Sequence, residues 1–293
     1  MKQPNTGNMD FSAVESRLNT GSTEQDDLFR ELNNVNRRLL DSENLKSNFL
    51  SNIRNEINNP LASVLELSRN ISSGYFSAGQ IKRFADLIHS EIFNLDFQLR
   101  NIFLSAELEA GESKFIPASV DVPALLGNLL VAFGHQLKKR KINVLFNNTI
   151  EEGGSFHTDP EKLYHVLANV LCNAIQFSDE EGTIEVHSRK DGEKLVISIL
   201  DYGIGISEQN KELLFDRFRQ GEEGSTKHFA GHGLGLSVSK ALLEMINGTV
   251  SIESELFHGS NFIVTINEAD TVSGGYSSDG NEFLFDGQDE TSF

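Results

Sequence analysis

A chain of 293 residues, 38% hydrophobic and 9% aromatic, can bury two ordinary cores, so a wholly disordered protein is ruled out. A net charge of -18 argues equally against a nucleic-acid surface, since a duplex binder must turn a basic face to the phosphates. The single cysteine, Cys172, cannot form an internal disulfide and points to a reducing, cytoplasmic setting. No run approaches the roughly 18 apolar residues of a membrane span, and the opening MKQPNTGNMDFSAVES lacks the apolar core of a signal peptide.

Residues 1–24 are polar and read as a disordered N-terminus; residues 271–293, rich in Gly, Ser and Asp, read as a disordered acidic tail in which EFLFDG is the one apolar island. From Asp26 to Ser72 the pattern is helical. Leu28, Leu32, Val35 and Leu39 form a leading coiled-coil-like stretch, and Leu50, Ile53, Ile57, Leu61, Val64, Leu67 and Ile71 continue an apolar stripe. Asn55 and Asn59 share a face that points away from that stripe, and Pro60 should kink the helix. After a break at SSGYFSAG, residues 77–109 repeat the pattern with Ile81, Phe84, Ile88, Ile92, Leu95, Leu99, Ile102 and Ala106, and His89 beside Ile88 reads as a surface or boundary histidine. Residues 25–112 therefore read as a helical hairpin. A hairpin alone buries too little, so two copies should pair into a four-helix bundle, as a homodimer or as a heterodimer with a related chain.

Residues 113–270 alternate between helix and strand. VDVPALLGNLLVAFGHQLKKR reads as a helix whose basic end, Lys138 to Lys141, is solvated; KINVLFNN reads as a strand and DPEKLYHVLANVLCNAIQFS as a helix. GTIEVHSRK and KLVISILDYG are strands, HGLGLSVSKALLEMINGT is a helix, and TVSIESEL and SNFIVTINE close the region as strands. Strands adjacent in sequence imply a mixed or antiparallel sheet with helices on one face, an α/β sandwich; with the hairpin, the fold class is α+β.

Four short patterns in this region carry chemistry. Asn169 and Asn173 stand one helical turn apart, where carboxamides can offer oxygen to Mg2+ and donors to phosphate. Asp201 ends a strand and is followed by Gly203 and Gly205; its carboxylate can accept from an adenine amino group while the glycines admit a ligand to the backbone. Phe215 and Phe218 precede a small, polar and charged segment at residues 219–230 whose composition fits a flexible loop anchored by the two rings. Gly231, Gly233, Leu234 and Gly235 lead into a helix whose N-terminal N–H groups can bind phosphate, without the Gly-Lys-Ser/Thr of a Walker motif. Each pattern alone is weak, and their joint occurrence is specific.

The order of these patterns, behind the segment SNFLSNIRNEINNPLASVLELS, resembles the two-component sensor histidine kinases over about residues 40–268. The resemblance implies a GHKL-type ATP-binding domain using ATP and Mg2+, with Asn173 as the metal-side ligand, and a response regulator as partner. It also implies a phosphoacceptor His at position 55, followed by an acidic base, an Asn or Thr, and Pro-Leu. Glu56, Asn59, Pro60 and Leu61 fit, but position 55 is Asn. A carboxamide nitrogen has no basic lone pair and cannot attack phosphorus, so self-phosphorylation at this position should be absent. Gln176 stands where the family usually has Lys. Four readings remain open: a pseudokinase acting on a partner kinase's His, a response-regulator phosphatase using Asn59, a nucleotide-gated binding module without turnover, or an inactive His→Asn variant of an active kinase.

Overall fold

The computed structural model describes residues 57–151, 154–211, 213–215 and 234–270, together with residues 32, 36, 37 and 54. Asn55, Glu56, Phe218, Gly231, Gly233, the segment 219–230 and both termini lie outside the described residues, as does most of the leading coiled-coil-like stretch. Helix α1 occupies 57–73 and runs through Pro60, and α2 spans Ala78–Ala110. Ser77 and Gln80 form a capping box at the start of α2, with the Gln80 Oε1 accepting from the Ser77 N–H at 3.0 Å. Gly111, at φ 69°, closes its far end in the left-handed conformation. No helix among the described residues is long and apolar enough to cross a membrane.

The sheet has five strands in the order β2-β4-β5-β7-β6: β2 (Asn143–Asn148), β4 (Thr183–Asp191), β5 (Lys194–Asp201), β6 (Gly248–Glu255) and β7 (Gly259–Asn267). β2 and β4 are parallel and the other pairings antiparallel, so the sheet is mixed. Alternate residues of β4, β5 and β7 are buried, among them Ile184, Val186, Ile197, Ile199, Phe262 and Val264. That period of two gives the sheet one core face. Helices α3 (Val122–Ala132), α5 (Pro160–Phe177) and α7 (Gly235–Met245) supply Leu126, Leu129, Leu167, Leu171 and Leu242 to the same core. The protein is thus α+β, with helices preceding a sandwich of a mixed sheet and helices.

Two local features depart from the pattern reading. Residues 120–140 do not form one helix. Val120 and Asp121 belong to β1 (Ala118–Asp121), which pairs antiparallel with β3 (Ser155–Thr158), and the helix breaks at Phe133 before α4 (Gly134–Lys139). Asp121 caps α3 by accepting from the Ala124 N–H at 2.9 Å, and Gly134, a poor helix former, follows the break. The break sets Phe133 edge-on to both Phe93 and Phe97 of α2, at centroid distances of 5.2 and 5.8 Å. Nor is the basic run 138–141 uniformly solvated: Lys138 and Lys139 are exposed, but Arg140 is half-buried and Lys141 pairs with Glu181.

Candidate functional site

Helix α5 begins with Asp159, whose Oδ1 accepts from the Lys162 N–H at 3.1 Å and whose Oδ2 accepts from the Ile116 N–H and the Lys162 Nζ, each at 2.9 Å. This buried cluster fixes the start of the helix and anchors the segment after α2 to it. The two asparagines on α5 have different surroundings. Asn169 is buried; its Oδ1 accepts from Asn101 Nδ2 of α2 at 2.9 Å and its Nδ2 donates to Ser239 Oγ of α7 at 3.1 Å. Asn173, one turn on, is half-buried, and its carboxamide has no hydrogen-bond partner among the described residues. Between them lies Cys172, whose thiol burial pushes up to about 12, which suits packing and not nucleophilic chemistry.

The far end of α5 meets the loop after β5. Ile204 N–H donates to the Phe177 carbonyl at 3.3 Å, and a Cβ on Gly203 would stand 1.9 Å from that same oxygen, so only glycine permits the contact. Gly205 adopts φ 64° with its Cβ position 2.0 Å from the Glu255 carbonyl, which binds this loop to the end of β6. Asp201, at the mouth of the loop, is 2% exposed and accepts from the Gly203 N–H at 3.0 Å. Removal from water raises its carboxyl to about 6, against the smaller lowering by hydrogen bonds from the Gly203 and Ser260 backbones.

At the third corner, Leu234 is buried and Gly235 opens α7, with its Cβ position 3.2 Å from Asn169 Oδ1. Phe215, on the 3-10 turn Leu213–Phe215, lies under Lys240 of α7, whose Nζ is 5.8 Å from the ring centroid. The structure therefore brings Asn169 to Gly235 and the Asn173-bearing helix to the Gly203 loop. Asn59 is exposed on α1, and His89, also exposed, has its ring 5.6 Å from that of His135. A buried carboxylate acceptor beside a glycine loop fits a purine amino group, and an unpartnered carboxamide fits a hard cation bound to phosphate.

Three residues escaped the pattern reading. Asn101 and Ser239 brace Asn169, and Arg140 closes the C-terminal end of α5 through the Ile175, Gln176 and Ser178 carbonyls. A signal for Asn101 does exist in the sequence. Phe93, Phe97, Leu104 and Leu108 form a second apolar stripe on α2, with Asn101 at its centre, and these four pack on the sandwich core.

Residues 158–270 match the family of histidine kinase-, DNA gyrase B-, and HSP90-like ATPases. The chain is 27% identical over 229 residues to the circadian input-output histidine kinase CikA of Synechococcus elongatus, covering 76% of this chain and 30% of that protein. It is 28% identical over 246 residues to the autoinducer 2 sensor kinase/phosphatase LuxQ of Vibrio vulnificus, covering 82% and 28%. The chain thus spans less than a third of the length of either relative. Among solved structures, the Acinetobacter baumannii histidine kinase AdeS shares the fold with a TM-score of 0.52 at 20% identity, over 74% of this chain and 98% of that one. Full-length ShkA, solved in complex with AMPPNP, gives 0.53 at 23% identity over 78% and 46%. Residues 158–270 thus form a GHKL-type ATPase domain, and the chain is similar to two-component sensor histidine kinases over most of its length and shares the fold of their solved structures.

Proposed function

We propose that the protein binds Mg-ATP in the crevice between α5, the Asp201 loop and the start of α7, and acts in two-component signalling without phosphorylating itself at residue 55. The observation that carries this reading is Asp201, a carboxylate 2% exposed with a glycine loop folded against it. A buried acceptor of this kind recognises an exocyclic amino group and rejects a base that lacks one. Asn173 would hold the cation and the α7 N-terminus the phosphates, while bound ATP would supply the phosphoryl group.

Asn55 in the acceptor position leaves Glu56 as a base with no nucleophile beside it, so phosphoryl transfer would go to the His of a paired homologue. The test is incubation with γ-labelled ATP and Mg2+, alone and with a His-containing partner kinase whose own ATP domain is disabled. Label should appear on the partner only. Absence of label in both reactions, together with no heat of ATP binding, would overturn the reading.

A second reading rests on Asn59, exposed on α1 and free to meet another protein. There its carboxamide would orient the water that hydrolyses a response regulator's phospho-aspartate, a step that needs no His. Loss of phosphate from a phosphorylated regulator, abolished in Asn59→Ala, supports it; an unchanged rate in that variant removes it.

A further inference from the structure

Helix α2 reaches Asn169 of α5 through the side chain of Asn101. Asn101, 8% exposed, donates both of its amide hydrogens: one to the Phe97 carbonyl of its own helix at 3.2 Å and one to Asn169 Oδ1 at 2.9 Å. The direction of the chain is fixed by donor arithmetic. Ser239 Oγ gives its single hydrogen to the Gly235 carbonyl at 2.8 Å, so it must accept from Asn169 Nδ2, which leaves Asn169 Oδ1 to accept from Asn101. The three side chains therefore have one consistent arrangement, buried throughout, which links α2, α5 and the first turn of α7. Gly235 sits directly against it, its Cβ position 3.2 Å from Asn169 Oδ1, so a rotation of that carboxamide would press on the start of α7.

Apolar contacts on both sides hold α2 in place for this bond. Phe93 and Phe97 close edge-on upon Phe133, and Leu104 and Leu108 pack on the same core further along the helix. A polar residue at the centre of an apolar stripe costs stability unless its partner is supplied, and here the partner lies on the helix that carries Asn173.

We propose that Asn101 is a positioning residue for the nucleotide: from α2 it fixes the carboxamide of Asn169, and through Asn169 and Ser239 the start of α7, in the arrangement that receives the phosphates. This rests on the ATP-binding reading above. Docking of α2 then sets part of the affinity for the phosphate chain and leaves the adenine end, held by Asp201, untouched.

The test is competition against a fluorescent ATP analogue with ATP and with adenosine, using the full chain and Asn101→Leu, which keeps the volume and removes the donor. ATP affinity should fall about 5- to 20-fold, the lower part of the range of ordinary intersite coupling, with adenosine affinity changed less than twofold. Unchanged ATP affinity overturns the proposal, and so does an equal loss for both ligands, which marks a purely structural role. Asn101→Ser, whose hydroxyl is too short to reach Asn169, gives the same readings if the Leu variant does not fold. Failure of the unsubstituted chain to bind ATP at all would overturn the nucleotide reading itself, a distinct result.

Discussion

Arg140 reaches across the sequence to Ser178, its Nη2 donating to the Ser178 carbonyl at 2.8 Å while Nη1 donates to the carbonyls of Ile175 and Gln176. The last carbonyls of a helix lack partners within it, and a guanidinium at that end both satisfies them and complements the helix dipole. The closure matters because Phe177, within the same turn, carries the oxygen on which the Gly203 loop rests. Arg140→Ala is expected to destabilise the protein by about 2–3 kcal/mol, the usual worth of charge-assisted hydrogen bonds lost with no replacement. Arg140→Lys, with a single point charge in place of a fork, should recover less than half of this. Urea unfolding of both variants measures the two differences.

Asp201 makes the site sensitive to pH. Its carboxyl is raised from 3.8 to about 6 by desolvation, so the folded protein holds a proton that the unfolded chain has released between those values. The folding stability contributed by that proton is fully present below about pH 4 and is lost as pH rises through 6. Ligand recognition runs in the opposite sense, because the ionised carboxylate is the better acceptor for an adenine amino group, and ATP affinity should drop as pH falls from 7.5 to 5. In Asp201→Asn this part of the pH dependence should disappear, affinity should be at least tenfold weaker at pH 7.5, and folding should be about 1–3 kcal/mol more stable there. Calorimetric titrations and thermal melts at both pH values check the three expectations together.

The sheet and its large helices could be read from the sequence because their signals are local: the period of two in KLVISILD and the apolar face of PEKLYHVLANVLCNAIQF both survive folding unchanged. β1 and β3 could not, since ASVD and SFHT are four residues each and become strands only by pairing with one another. Asp201, Gly203 and Gly205 stand out in the sequence because motif spacing reports a loop that sequence neighbours build. Arg140 and Asn101 were missed for the converse reason: the carbonyls that Arg140 caps and the Asn169 that Asn101 holds lie far along the chain. A lone basic or amide residue on a helix carries no mark of such a partner.

Gln176 gives a gain-of-function test. It lies on α5 one residue before Phe177, whose carbonyl meets the Gly203 loop, half-buried, at the position where the family usually places a Lys. A cation there would face the phosphate chain, and an added partly screened ion pair contributes on the order of 1 kcal/mol. Gln176→Lys is therefore expected to tighten Mg-ATP binding about fivefold and to leave adenosine binding unaltered. Combined with Asn173→Ala, the gain should persist while the dependence of ATP affinity on Mg2+ disappears. Titrations with and without Mg2+ separate the two effects.

The helical pair leaves apolar surface uncovered in the single chain. Leu65 on α1 is 57% exposed and Ile81 and Ile92 on α2 are 43% and 45% exposed, although Ile81 and Ile92 belong to the regular stripe of a core-forming helix. Apolar surface left to water is unfavourable by roughly 25 cal/mol per Å2, and a second copy of the same hairpin offers the matching stripe. The opposite face of α2 is already committed to Phe133 and Asn169, so the two stripes cannot exchange roles. A dimer is expected by light scattering at micromolar concentration, with twice the 32.5 kDa chain mass. Ile81→Glu together with Ile92→Glu should yield monomer while preserving the melting transition of the sandwich, because neither side chain contributes to that core. A monomer in the unsubstituted protein would show that the stripe is covered in some other way.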